Sequence, residues 1–149
     1  MTDKDLTTHC GIYCGDCPRY QARFSDMCAD LLQEFEKSHF SELAKIIATK
    51  NDKFEKYDDM LSLLKTISAL KCEAPCRLGG GRGSSCEVIV CNKNRGIEGC
   101  WDCDDFEKCN KLDFLKPFCA DAPIKNLRTV KKYGMENWAG HREKQYPWL

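Results

Sequence analysis

Cys86-Glu87-Val88-Ile89-Val90-Cys91, followed by Cys100-Trp101-Asp102-Cys103-Asp104-Asp105-Phe106-Glu107-Lys108-Cys109, is the stretch on which the reading of this chain turns. A Cys-x2-Cys turn lets two sulfurs reach one ion, and tetrahedral zinc takes four such ligands. Cys100 and Cys103 make one such pair. Cys14-Gly15-Asp16-Cys17 makes another, with Cys10 just before it, and Cys72-x3-Cys76 adds two more sulfurs. The candidate ligands are therefore Cys10, Cys14, Cys17, Cys72, Cys76, Cys86, Cys91, Cys100, Cys103 and Cys109. They lie in two cysteine-rich segments, 9–20 and 72–109. Ten sulfurs are enough for two four-cysteine sites with two to spare. One partition groups Cys72, Cys76, Cys86 and Cys91. It leaves Cys14 and Cys17 to join Cys100 and Cys103, with Cys10 or Cys109 able to replace any of these. His9 stands beside Cys10 as a further donor, although a surface histidine is the commoner case. Cys28 and Cys119 read as small packed hydrophobes.

The chain holds 12 cysteines in 149 residues, near the level that marks a thiol-built scaffold. A secreted protein would use them as disulfides, whereas in a reducing compartment metal ligation or catalysis is the better reading. The start, Met1-Thr2-Asp3-Lys4-Asp5-Leu6, is polar and lacks the apolar core of a secretory signal. No run approaches the ~18 apolar residues of a membrane helix. A soluble, cytoplasmic protein is expected. Its 23 basic and 23 acidic residues cancel, which gives no strong nucleic-acid signal. Four thiolates on each zinc would make the loaded chain acidic and weaken that reading further. Oligomeric state is not legible.

Outward from the cysteines the sequence changes character. Phe54, Tyr57, Leu61, Leu64 and Ile67 recur at spacings of three and four, one apolar stripe of a helix. A second helix is expected from about Asp26 to Glu36 with Met27, Leu31, Leu32 and Phe35 facing inward. A third follows Ser41 with Leu43, Ile46 and Ile47, and Asn51-Asp52 breaks the pattern. Pro123 suits the first turn of a late helix, with Ile124, Leu127 and Val130 inward and Gly134 as its cap. A short helix from Met135 to Arg142 would turn Trp138 inward. The expected fold is mostly α, or irregular α+β. It is a single domain over 1–149, with a helical insertion at about 24–70 and C-terminal helices at about 122–143, packed around metal-stapled loops.

Segment 72–109 looks poor in core. Gly79-Gly80-Gly81-Arg82-Gly83-Ser84-Ser85 offers almost nothing to pack. Val88-Ile89-Val90 is its only continuous apolar run, a short strand or a helical turn. Ordering each residue costs roughly 1–2 kcal/mol of backbone entropy. A structural zinc site contributes on the order of 10–16 kcal/mol in small peptides, against roughly 2–4 kcal/mol for a disulfide. Zn2+ is therefore the expected cofactor, structural in role, in a module that binds another macromolecule.

Two other readings stand beside it. Cys10-x3-Cys14-x2-Cys17 has the spacing that holds a 4Fe–4S cluster in radical S-adenosylmethionine enzymes. Those are built on barrels of at least ~200 residues, whereas this chain is shorter and reads as helical. A plain iron–sulfur redox protein or enzyme subunit is the nearer alternative. A thiol oxidoreductase is the other, although its Cys-x2-Cys usually sits in a βαβ context that is missing here. Arg77 and Arg82 around the glycine run lack the spacing of a P-loop. His9, His39 and His141 support no Ser-His-Asp arrangement. Nothing in the chain argues positively for an enzyme.

Cys10-Gly11-Ile12-Tyr13-Cys14-Gly15-Asp16-Cys17-Pro18-Arg19-Tyr20, then Cys86 to Cys91 and Lys93 to Cys109, resembles the cysteine-rich bacterial and archaeal proteins grouped as domain of unknown function 3795. The likeness runs from about Cys10 to Lys111, with a looser match at Asn126-Leu127-Arg128. The family's cysteines correspond to Cys10, Cys14, Cys17, Cys76, Cys86, Cys91, Cys100, Cys103 and Cys109, with Cys72 a looser match. The resemblance implies a metal-binding protein of prokaryotic type and no particular activity. The insertion between Cys17 and Cys72 is long for the family.

Overall fold

The computed structural model describes residues 1–148. These residues form helices and turns with no strand among them, and a single antiparallel bridge joins Thr7 to Tyr13. The chain divides into two compact units, Gln21–Lys71 and the remainder, Met1–Tyr20 with Cys72–Leu149. No helix among the described residues is long and apolar enough to cross a membrane.

The helical unit follows from periodicity. Helices Phe24–Lys37, Phe40–Ala48 and Tyr57–Ser68 are linked by a 3-10 turn, Asp52–Lys56, where Asn51 accepts the Lys53 N–H at 3.1 Å. Tyr57 is buried, and Phe54, Leu61, Leu64 and Ile67 are half-buried along the expected stripe. The rings of Phe35, Phe40 and Tyr57 meet at centroid distances of 4.8–6.0 Å, a spacing favourable for aromatic pairs. The expected inner face of the first helix needs correction. Ser25, Cys28, Leu32 and Phe35 turn inward, while Met27 is 61% and Leu31 41% exposed. One residue of offset rotates a helix position by about 100°. Met27 and Leu31 therefore form their own outer row beside Cys28 and Leu32. The next helix likewise buries Ala44 and leaves Leu43 and Ile46 outside. It begins at Phe40, ahead of Ser41.

The cysteine-bearing unit is built on the helix Ala122–Tyr133. Pro123 occupies its first turn, Leu127 and Val130 are buried, Ile124 is half-buried, and Gly134 ends it at φ +76°. The expected helix from Met135 to Arg142 contracts to a 3-10 turn, Trp138–His141. The chain reverses there so that the Trp138 N–H reaches Gly134 O at 3.1 Å. Trp138 is fully buried, and its Nε1–H donates to Thr7 Oγ1 at 2.9 Å. Tyr13 packs edge-on against it at 5.6 Å. Its backbone is held by the buried side chain of Gln145, which accepts the Tyr13 N–H and donates to the Tyr13 carbonyl.

The expectation that segment 72–109 is poor in core does not hold. Val88, Ile89, Trp101 and Phe106 all join the same core cluster as Leu127 and Trp138. Val88-Ile89-Val90 is helical, the start of Glu87–Arg95. The glycine run is ordered between two 3-10 turns, Cys76–Leu78 and Gly83–Ser85. Gly80 passes so close to Ala74 that an added Cβ would lie 1.7 Å from the Ala74 carbonyl oxygen.

Candidate functional site: two clefts lined by cysteine

Four of the candidate cysteines are presented by the same local device. Cys17, Cys86, Cys103 and Cys109 each follow a three-residue 3-10 turn, and each N–H closes that turn at 3.0–3.3 Å. Their backbones agree closely, with φ between −76° and −92° and ψ between 113° and 131°. In the two Cys-x2-Cys pairs the turn's acceptor is the first cysteine, Cys14 or Cys100. Cys10 sits in a tight turn in which Thr8 N donates to Ile12 O and Ile12 N to Thr8 Oγ1, both at 2.9 Å. Gly11 allows this turn to seat on the C-terminal helix. Its φ is +85°, and a Cβ there would lie 2.8 Å from Pro123 O and 2.9 Å from Leu127 Cγ.

The ten cysteines fall into two groups. Cys10, Cys14, Cys17, Cys72, Cys76 and Cys86 line a cleft of about 190 Å3. Cys91, Cys100, Cys103 and Cys109 line a narrower one of about 60 Å3. Partition by sequence order places Cys91 with Cys72, Cys76 and Cys86, and Cys14 and Cys17 with Cys100 and Cys103. The structure groups them otherwise. Cys91 lies inside the helix Glu87–Arg95, whereas Cys86 is the extended residue that precedes it and closes its own 3-10 turn, so different backbone sets the two side chains. The clefts adjoin through the backbone, because Cys100 N–H donates to His9 O at 2.9 Å. All twelve cysteines are free thiols.

The sulfurs have donors around them. Gly81 N–H points at Cys72 Sγ at 3.2 Å, and Arg95 Nη1–H at Cys103 Sγ at 3.0 Å. Thr8 Oγ1 lies 3.1 Å from Cys10 Sγ. Such contacts stabilise a thiolate more than a thiol, because a hydrogen bond to a charged acceptor is the stronger one. Asn92 is buried, and its Oδ1 faces the Cys100 thiol at 3.6 Å while its Nδ2 has no partner among the described residues. Amide oxygen and nitrogen exchange places by a simple flip. Flipped, the orphaned Nδ2–H would donate to a Cys100 thiolate. The donor set therefore fits a thiophilic cation in both clefts.

Burial, with repulsion from neighbouring sulfurs, keeps Cys10, Cys14, Cys76 and Cys100 protonated when no cation is present. Burial pushes Cys14 up to about 11, with Cys17, Cys72 and Cys10 adding repulsion. It pushes Cys76 and Cys100 up to about 12 and raises Cys10 as well. Cys119 rises to about 11 for the same reason but lines neither cleft. As they stand, no three His, Cys, Asp or Glu side chains among the described residues come together in a ready-made metal-holding group. His9 uses Nδ1 on the Glu98 carbonyl at 2.9 Å, and burial lowers its pKa. It therefore acts as a tether between the segments.

Several groups in the cysteine-bearing unit escape a reading of cysteine spacing. Asn92 and Arg95 lie one and four residues after Cys91, and the i, i+4 relation to Arg95 is legible once the segment is known to be helical. Arg77 is anchored by Nε–H to Thr7 O at 2.9 Å, with its guanidinium 5.4 Å above the Trp101 ring. No local pattern announces that contact.

No curated protein and no solved structure matches the chain. One family does, described as Protein of unknown function (DUF3795), over residues 6–114. The matched span contains every cysteine of both clefts and stops short of the C-terminal helix on which they rest, so the looser likeness at Asn126-Leu127-Arg128 lies outside it. A match over well over half of its length makes this chain a member of the DUF3795 family.

Proposed function

We propose that the protein binds metal through its cysteines, with zinc as the metal and a structural role for it. The observation that carries this reading is the sorting of ten free thiols into two clefts furnished with N–H donors aimed at sulfur. Cys91, Cys100, Cys103 and Cys109 would hold one ion, matching the four sulfur ligands of a closed structural site. The six cysteines of the wider cleft would hold the rest. Bound metal would supply cross-linking: it replaces thiol protons and ties segments far apart in sequence. The raised pKa values of Cys14, Cys76 and Cys100 speak against a thiol oxidoreductase, whose attacking cysteine needs a lowered one. The wide cleft's Cys10-x3-Cys14-x2-Cys17 keeps an iron–sulfur centre as the second reading. Exposed Met27, Leu43, Ile46 and Leu63 support a further role for the helical unit in docking on another macromolecule.

Elemental analysis of anaerobically purified protein, with its visible spectrum, tests the reading. Zinc without absorbance near 400 nm is expected. Iron with matching sulfide would replace zinc by the second reading, and protein free of any metal would overturn both.

A further inference from the structure

We infer that the wide cleft takes two divalent cations that share thiolates, so that the loaded chain carries three ions, two in the wide cleft and one in the narrow. The inference rests on the metal-binding reading above and deepens it.

The two clefts differ in donor count and in room. Four sulfurs line the narrow one, the complement of a single tetrahedral ion. Six line the wide one. A single ion there would leave two thiols unused inside a cleft built around sulfur. Two tetrahedral ions need eight ligand positions, and six thiolates supply eight when two of them bridge. The volumes agree with this. The wide cleft holds about 190 Å3 against about 60 Å3 for the narrow. At roughly 30 Å3 for one water, that is room for an extended centre in one and a compact one in the other. Cys76 is the leading bridge. Gly81 stands beside it and Cys72 together: the Gly81 N–H lies 3.2 Å from Cys72 Sγ, and a Cβ on Gly81 would lie 3.5 Å from Cys76 Sγ, so one glycine borders both sulfurs. Two dications and six thiolates carry a net charge of −2. Arg19 and Arg82 line the same cleft and offset it.

The test is titration of the reduced, metal-free full chain with 113Cd2+, read by native mass spectrometry and 113Cd NMR. Three cadmium ions per chain are expected. Two of the resonances should show cadmium–cadmium coupling through a shared sulfur, and the third should be isolated. Cys109→Ala should lower the count to two and keep the coupled pair. Cys76→Ala leaves five thiolates, of which one bridge gives only six ligand positions, so the wide cleft should drop to one ion, losing the coupling, while the isolated resonance stays. Because each variant spares one cleft, the unaffected resonances report whether the chain has folded. Two ions per chain with no coupling would overturn the shared-thiolate centre and leave the metal-binding reading intact. No bound cadmium would overturn both.

Discussion

The helical unit and the cysteine-bearing unit are ordered by different means. In Gln21–Lys71 three helices bury one stripe each, and Phe35, Phe40 and Tyr57 stack at their meeting point. In the other unit, only Glu87–Arg95 and Ala122–Tyr133 exceed two helical turns. Short 3-10 turns there aim sulfurs into clefts, and long-range polar contacts such as Trp138 Nε1–Thr7 Oγ1 fix the loops. The first is periodic apolar packing. The second is a core with a sulfur lining.

The sharpest break between the units should come from metal removal. A structural zinc site is worth on the order of 10 kcal/mol or more in small peptides. Chelation under reducing conditions should therefore destabilise the cysteine-bearing unit, raising its exchange far more than that of Gln21–Lys71. Hydrogen exchange followed by mass spectrometry reads both at once. Loss of protection at Phe24–Lys37 and Tyr57–Ser68 equal to that at Glu87–Arg95 would erase the distinction.

Core truncation comes next. Trp138→Ala removes a fully buried indole that also donates to Thr7, and should cost roughly 3–5 kcal/mol. Phe35→Ala removes a half-buried ring and should cost less, since part of that ring already meets solvent. Denaturant unfolding of both variants in the metal-loaded protein compares them. Equal losses would argue that the two cores are organised alike.

Gly11→Ala should have a smaller effect, about 1–3 kcal/mol. It combines a left-handed backbone (φ +85°) with a Cβ 2.8 Å from Pro123 O. If thermal unfolding of this variant matches the parent, the close seating of the Cys10 turn on the C-terminal helix is wrong.

The mildest perturbation is pH. Folding of the metal-free chain raises Cys14 to about 11 and Cys76 and Cys100 to about 12, from an ordinary value near 9. The folded state thus holds protons that the unfolded chain has already lost. The resulting stability is fully present below about pH 9 and is lost as pH rises toward 11–12. The metal-loaded chain should do the opposite and lose stability on acidification, as protons compete for the ligating thiolates. Melting temperatures across both ranges check the two signs. Alkaline stabilisation of the metal-free form would contradict the burial of these thiols.

Much of the helical unit was legible because a 3.6-residue period leaves a mark in sequence: Tyr57, Leu61, Leu64 and Ile67 turn inward as their spacing predicts. Met27 and Leu31 misled because hydrophobicity alone does not say which of two adjacent apolar rows faces the core. The identity of the sulfur lining was also legible, since every cysteine chosen by spacing lines one of the clefts. Their grouping was not. It depends on the change from extended backbone at Cys86 to helix at Cys91, and on the pairing of Cys100 with His9, a contact 91 residues apart in the chain. The density of the core around 72–109 was hidden for a related reason. Trp101, Phe106 and Leu112 are scattered in sequence and are gathered only by successive 3-10 turns.

The most direct test of the central claim is X-ray absorption at the zinc edge of the protein as purified. A first shell of sulfur alone, four neighbours at about 2.3 Å, is the predicted result. A shell containing nitrogen or oxygen, or a preparation with no metal to measure, would contradict the assignment of these ten cysteines as ligands.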